Sequence, residues 1–356
     1  MISLKYNHMI KFIKITAYIF FITLLLSEIV VRNAMNWIPQ DLITYLSPKA
    51  ALKVYQERGL IQDEDSYIYH YRPFQKMNYF SFLKIDENGY RNSVERQTKV
   101  DTVLLGDSLI FAKRSKVDLG DLFREKNRSV LNLSISGYAP QHYRDTYKKY
   151  VIDKKIQHKN VIVSIFVGND FSDSERYPWD LSPTIGEGNP NYPWIINLII
   201  GASNRFEAVK NYNIDIIESK HRVSLPYKEI GIRYLWWTPT PTDDQWNKVD
   251  ESLREILKMA KKSSAKVSFV IIPSPSSVYG VKLHSDFSAY VDNHNKIVKE
   301  FRKRFKNINI IDINKEISTE IEKEFLYVEE SDAHFNTHGT KVFFNIILEK
   351  LDLQDI

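Results

Sequence analysis

The chain has 356 residues, 43% of them hydrophobic and 13% aromatic, which is ample for a large core and far from a disordered composition. Lysine and arginine exceed aspartate and glutamate by 49 to 44, and this surplus is scattered, so no basic stripe marks the chain for nucleic acid. It has no cysteine, which excludes disulfides, thiolate metal sites and a cysteine nucleophile.

At the N-terminus, Ile15 to Leu26 (ITAYIFFITLLL) is apolar apart from two threonines and a tyrosine, and the run resumes at Ile29 after Ser27 and Glu28. Lys5, Lys11 and Lys14 precede it and Arg32 closes it. Seventeen helical residues span roughly 26 Å, slightly short of a ~30 Å hydrocarbon layer. Extension back to Ile10 closes the gap if Lys11 and Lys14 snorkel. Residues 1–32 are therefore expected to form a single-pass membrane anchor, with the N-terminus cytoplasmic and all that follows extracytoplasmic, periplasmic or extracellular. A cleaved signal peptide has the same layout, though no convincing small-x-small cleavage site is found. A buried soluble helix is the third reading.

Residues 33–99 are mixed and aromatic-rich. YIYHYRPF and KIDENGYRNS read as short strands, the second with Asn88-Gly89 as a hairpin turn, in a connector packed on the main domain. From 100 to 356 the pattern alternates. Near-continuous apolar runs at 102–105, 129–134, 160–167, 266–272 and 307–313 predict strands covered on both faces. Amphipathic stretches at 118–126, 140–155, 243–263, 286–305 and 338–351 predict the covering helices. The expected class is α/β, an open, doubly wound parallel sheet. Residues 172–238, rich in proline, glycine and tryptophan, interrupt the rhythm as an insertion expected to overhang the strand exits. Its tryptophans suit either ordinary packing or a sugar-stacking platform.

In such sheets ligands bind beyond the carboxyl ends of the strands. The first strand exits at Gly106-Asp107-Ser108, the second at Gly137 (SISGYAPQ), and the third at Gly168-Asn169-Asp170. Just before the last helix stands SDAHFNTHG, with Asp332 and His334. Each has a bland reading: Gly-Asp-Ser and Gly137 as turns, Asn169 as an Asx turn, Asp332 or Asn336 as the helix N-cap. Together they supply acyl transfer. Ser108 is the nucleophile, His334 the base with a suitable intrinsic pKa, and Asp332 the acceptor that orients it. The N–H groups of Ser108 and Gly137 and the side-chain amide of Asn169 would form the oxyanion hole. Asp107 and Asp170 read as loop-bonding residues, and His142 and His338 as structural or exposed. His334 and His338 are four apart, but Asn336-Thr-His-Gly starts a helix rather than lying in one, so no metal and no cofactor are expected.

These four blocks resemble those of the SGNH hydrolases, also called GDSL esterases and lipases: Ser108 in GDSL, Gly137 in SISGYAPQ, Asn169 in VGND and His334 in DAHFN, in that order. The resemblance covers about 100–171 and 240–351. It implies a flavodoxin-like three-layer fold and a Ser108-His334-Asp332 triad. One departure is that the family's usual Asp stands three residues before His. Here Asp332 stands two before, which is similar to the SGNH-type O-acetyltransferases of bacterial exopolysaccharides. The implied function is a serine acyl-ester hydrolase acting on an acylated cell-envelope glycan. An O-acyltransferase fed by a membrane acyl-donor protein, a lipase acting on a lipid ester, and a non-catalytic glycan-binding protein are the alternatives.

Overall fold

A computed structural model describes residues 2–34, 60–62, 67–74, 83–93, 97–175, 177, 222–231, 240–283, 288–328 and 332–351. The chain divides into two compact units, one of residues 1–60 and 180–215, the other of 61–179 and 216–356. In the first unit, helix α1 (Ile2–Ala34) runs for 33 residues. Among the described residues, no helix is long and apolar enough to cross a membrane. The helix does not support the single-pass span expected of residues 1–32.

The second unit is built on five parallel strands: β1 (Lys99–Leu105), β2 (Val130–Asn132), β3 (Gln157–Phe166), β4 (Lys266–Ile272) and β5 (Asn309–Asp312). Their order is β2-β1-β3-β4-β5, the flavodoxin-like arrangement. All five expected strands form, with shifted ends. β1 starts earlier because Lys99 and Val100 pair with Gln157 and His158. Leu133 N–H makes the last bond to the Leu104 carbonyl at 2.9 Å, and the chain then leaves the sheet.

Helices cover both faces, which is why the strands lack polar alternation. On one side Leu104, Ile162 and Val270 pack with helices α3 (Leu119–Glu125) and α10 (Thr337–Lys350), where Phe123 and Phe344 meet edge-on at 5.0 Å. Other aromatic contacts join helices α5 (Asp170–Glu175), α6 (Asp243–Lys262) and α8 (Ser288–Arg304). Phe171 lies 4.7 Å from Trp246, and Trp246 5.2 Å from Phe301. α6 starts on a capping box, Thr242 with Gln245, and buries Trp246, Val249, Leu253, Ile256 and Ala260 at helical spacing. The 140–155 stretch is not one helix: α4 (Pro140–Tyr147) passes into a π-turn, Lys148–Ile152.

Residues 67–74 and 83–93 do more than connect. Asn88-Gly89 makes the expected tight turn at Gly89 φ +83°, and a Cβ there would lie 2.0 Å from the Tyr71 carbonyl. The returning arm brings Asn92 against β2, an edge strand. Its Nδ2 donates to the Asn132 carbonyl at 3.0 Å and its Oδ1 accepts from Asn132 N–H at 2.9 Å. A side chain thus completes the ladder that no further strand extends. Of the 172–238 insertion, the hairpin 222–231 is described. Leu225 enters the core and the Tyr227 hydroxyl donates to the Ile321 carbonyl. All four of its tryptophans lie outside the described residues, as does most of the overhang expected of it.

At the far edge of the sheet, His294 Nε2 lies 2.8 Å from Asp312 Oδ1, which also accepts from Asn314 N–H at 3.0 Å. Burial works to raise the Asp312 pKa, but these bonds outweigh it and hold the carboxyl below its ordinary value. A depressed carboxylate stabilises the fold above its unfolded pKa, near 4, and that contribution is lost as pH falls through the lower folded value. Asp312→Ala should therefore cost about 1.5–3 kcal/mol at pH 7. In urea denaturation, the gap to wild type should narrow at pH 3.

Candidate active site

Three of the site's loops leave adjacent strands, β2, β1 and β3, at the point where strand order reverses. Gly106 ends β1. A Cβ there would meet Ile110 Cγ1 at 2.5 Å and Ser164 Cβ at 3.3 Å, so the turn lies too close to its own helix and to β3 for any side chain. Asp107 caps the single turn of helix α2 (Ser108–Phe111), accepting from Leu109 N–H at 2.9 Å. Ser108 is thereby lifted to the first helical position, half-buried, its Oγ 3.4 Å from Asp107 Oδ2.

His334 stands in an antiparallel bridge, Tyr327 with Phe335, in which Val328 N–H donates to the His334 carbonyl at 3.0 Å. Ala333 and Phe335 are buried on either side, and alternation turns His334 the other way. Asp332 Oδ1 accepts from both His334 N–H at 2.8 Å and His334 Nδ1 at 2.5 Å. This fixes the tautomer with hydrogen on Nδ1 and leaves Nε2 as the free basic nitrogen. The cap of α10 is Asn336, whose Oδ1 accepts from Gly339 N–H at 2.8 Å, so Asp332 is left to the histidine.

Gly137 has φ +84°, a left-handed turn that suits glycine. Asn169 follows Gly168, where a Cβ would strike the Phe166 ring at 2.5 Å. The N–H groups of Ser108 and Gly137 make no hydrogen bond among the described residues, and neither does the Asn169 side chain, whose Oδ1 is buried. All three residues are half-buried. Ser108 and His334 are not hydrogen-bonded to each other.

Solved structures similar to this chain include a GDSL-like lipase and two esterases. No protein-family model and no curated protein matches the chain. A GDSL-like lipase from Bacteroides thetaiotaomicron is 11% identical, over 72% of this chain and 89% of that one, with a TM-score of 0.38. An acetylxylan esterase from Geobacillus stearothermophilus is 11% identical, over 71% and 94%, with a TM-score of 0.39. The esterase EstA from Pseudoalteromonas is 11% identical, over 72% and 98%, with a TM-score of 0.34.

The electrostatics around the serine centre on Asp107. Burial is the largest influence and raises its pKa, against the Leu109 N–H, the nearby His334 and Ser108. Asp170 is pushed well up, first by burial and then by Asp107, and the Tyr143 hydroxyl lies 3.1 and 3.0 Å from its two oxygens. Asp107 thus lies within electrostatic range of both His334 and Asp170. His142, capping α4 through Ala139 N–H at 3.1 Å, is driven down to about 3 by burial and stays neutral.

Sequence reasoning missed the scaffold beneath these loops. Arg91, 1% exposed, sends Nη1 to the carbonyls of Phe111 (3.0 Å) and Ala112, and Nη2 to that of Ser115 (3.0 Å). Tyr69 donates to the Ser136 carbonyl at 3.0 Å, while the Tyr138 hydroxyl donates back to the Tyr69 carbonyl at 2.6 Å, which brackets Gly137. Tyr71 stacks on Phe111 at 5.5 Å. Nothing in a lone arginine of GYRNS signals that it will be buried. Arg91→Met should leave three carbonyls without their donor and cost about 3 kcal/mol or more in urea denaturation.

Proposed function

We propose that the chain is a serine acyl-ester hydrolase of the SGNH type, with Ser108, His334 and Asp332 as its triad. The observation that carries this is the joint presence of three unpaired donors at neighbouring strand exits, beside a serine and an aspartate-oriented imidazole. In this reading Ser108 Oγ attacks the ester carbonyl as His334 Nε2 takes its proton, and Asp332 steadies the imidazolium. The oxygen that becomes negative sits among Ser108 N–H, Gly137 N–H and Asn169 Nδ2. His334 returns the proton to the leaving alkoxide, then activates water against the acyl-enzyme. In this reading Ser108 Oγ turns from Asp107 toward His334 Nε2 when the ester binds.

The proposed substrate is an acylated carbohydrate, supported by the two-residue Asp332–His334 spacing. If a sugar hydroxyl displaces water in the second half-reaction, the same site becomes an O-acyltransferase.

With p-nitrophenyl acetate, the full chain should turn over. Ser108→Ala and His334→Ala should each lower kcat by at least about 10³-fold. Asn169→Ala should lower it by about 10²–10³-fold with the fold intact. A fluorophosphonate should label Ser108 and no other residue by mass spectrometry. A Ser108→Ala variant as fast as wild type would leave only a binding protein. An acetylated polysaccharide with a free-sugar acceptor separates release to water from transfer.

A further inference from the structure

We infer that Arg114 is a positioning residue for the catalytic base, holding the Asp332 oxygen that His334 does not use; this rests on the hydrolase reading above. Because Asp332 stands only two residues before His334, Oδ1 is committed to two N–H groups of that one residue. A single oxygen acting as hinge leaves the carboxylate free to rotate about it. Oδ2 is where rotation can be stopped, and there Arg114 Nε stands 3.8 Å away, with Asp332 11% and Arg114 31% exposed.

The loop bearing Arg114 is itself fixed at three places. Arg91 holds the carbonyls on both sides of it, and Lys116 N–H donates to Thr337 Oγ1 at 3.0 Å, in the first turn of α10. The nucleophile's helix, this loop and the histidine's loop are therefore tied in one circuit, with Arg114 facing the base from the side of the nucleophile. The other charged groups around the pair are Asp107, which faces His334, and, further along α10, the exposed His338 with Glu324 at 3.5 Å. For Asp332, burial opposes ionisation, while the bonds to His334 and then the Arg114 cation lower its pKa.

Removing a cation beside Asp332 makes its protonation easier. In Arg114→Gln, kcat for p-nitrophenyl acetate should fall about tenfold with KM unchanged, as expected when a reacting group is misplaced but substrate binding is not. The acid limb of its pH–rate profile should move to higher pH. Arg114→Lys should restore both, since the contact is through charge and not a bidentate fork. Thermal midpoints of all three proteins should agree, which a merely structural role would not allow. Proton NMR of the downfield His334 Nδ1–H gives a readout independent of turnover: broadened in Arg114→Gln, sharp in wild type and in Arg114→Lys. Unchanged kcat, limb and resonance in Arg114→Gln, or a lysine variant as impaired as the glutamine one, would overturn the inference alone. Turnover that survives Ser108→Ala would overturn the hydrolase reading and the inference together.

Discussion

A buried cation that donates to three backbone carbonyls organises the site. The Arg91 guanidinium spends its donors on the carbonyls of Phe111, Ala112 and Ser115, at the end of the turn that carries Ser108 and in the loop that follows it. Burial lowers its pKa, with Asp118 and then Asp121 pulling the other way, but a guanidinium keeps its charge at any ordinary pH. The carbonyls need it as much as it needs them. A single helical turn ending in left-handed Ala112 (φ 52°) exposes acceptors that no longer helix satisfies. Short helix, left-handed exit and buried arginine therefore make one solution to placing a hydroxyl at the lip of a strand.

The same economy governs the acidic groups. Two carboxylates, Asp107 and Asp170, lie buried near Ser108, and Asp107 discourages ionisation of Asp170. Asp170, with Tyr143 across its two oxygens and Phe166 N–H on one at 3.0 Å, is the better placed to stay neutral. Asp107 is the better placed to carry the charge, with a backbone N–H, a hydroxyl and the imidazole beside it. The negative charge near Ser108 is thus held to one residue.

How much of this was legible depends on the range of the forces involved. The five strands were visible because burial on both faces writes apolar runs into the chain, and the exits of those strands then pointed to Ser108, Gly137 and Asn169. Asp332 and His334 were visible because they lie two residues apart. Arg91, Tyr69 and Asn92 were not. Their partners lie 20 to 69 residues away, at Phe111, Ala112, Ser115, Ser136, Tyr138 and Asn132. Single residues with distant backbone partners leave no periodicity and no local motif. The apolar N-terminal run is a strong local pattern that invited a membrane span, yet among the described residues no helix is long and apolar enough to make one.

Residues 67–93 also show why the segment ahead of the sheet cannot be a passive linker. β2 is an edge strand of three residues, yet it delivers the loop of Gly137 to the site. Three ladder residues are too few to fix a loop by themselves, and an open edge would let the loop slide. Asn92 closes that edge in both directions, and the Tyr69–Tyr138 exchange clamps the loop from above. An oxyanion site gains from donors that need no rearrangement when charge develops. The segment contributes none of those donors, but by removing slack from the strand and the loop it determines how little Gly137 has left to move.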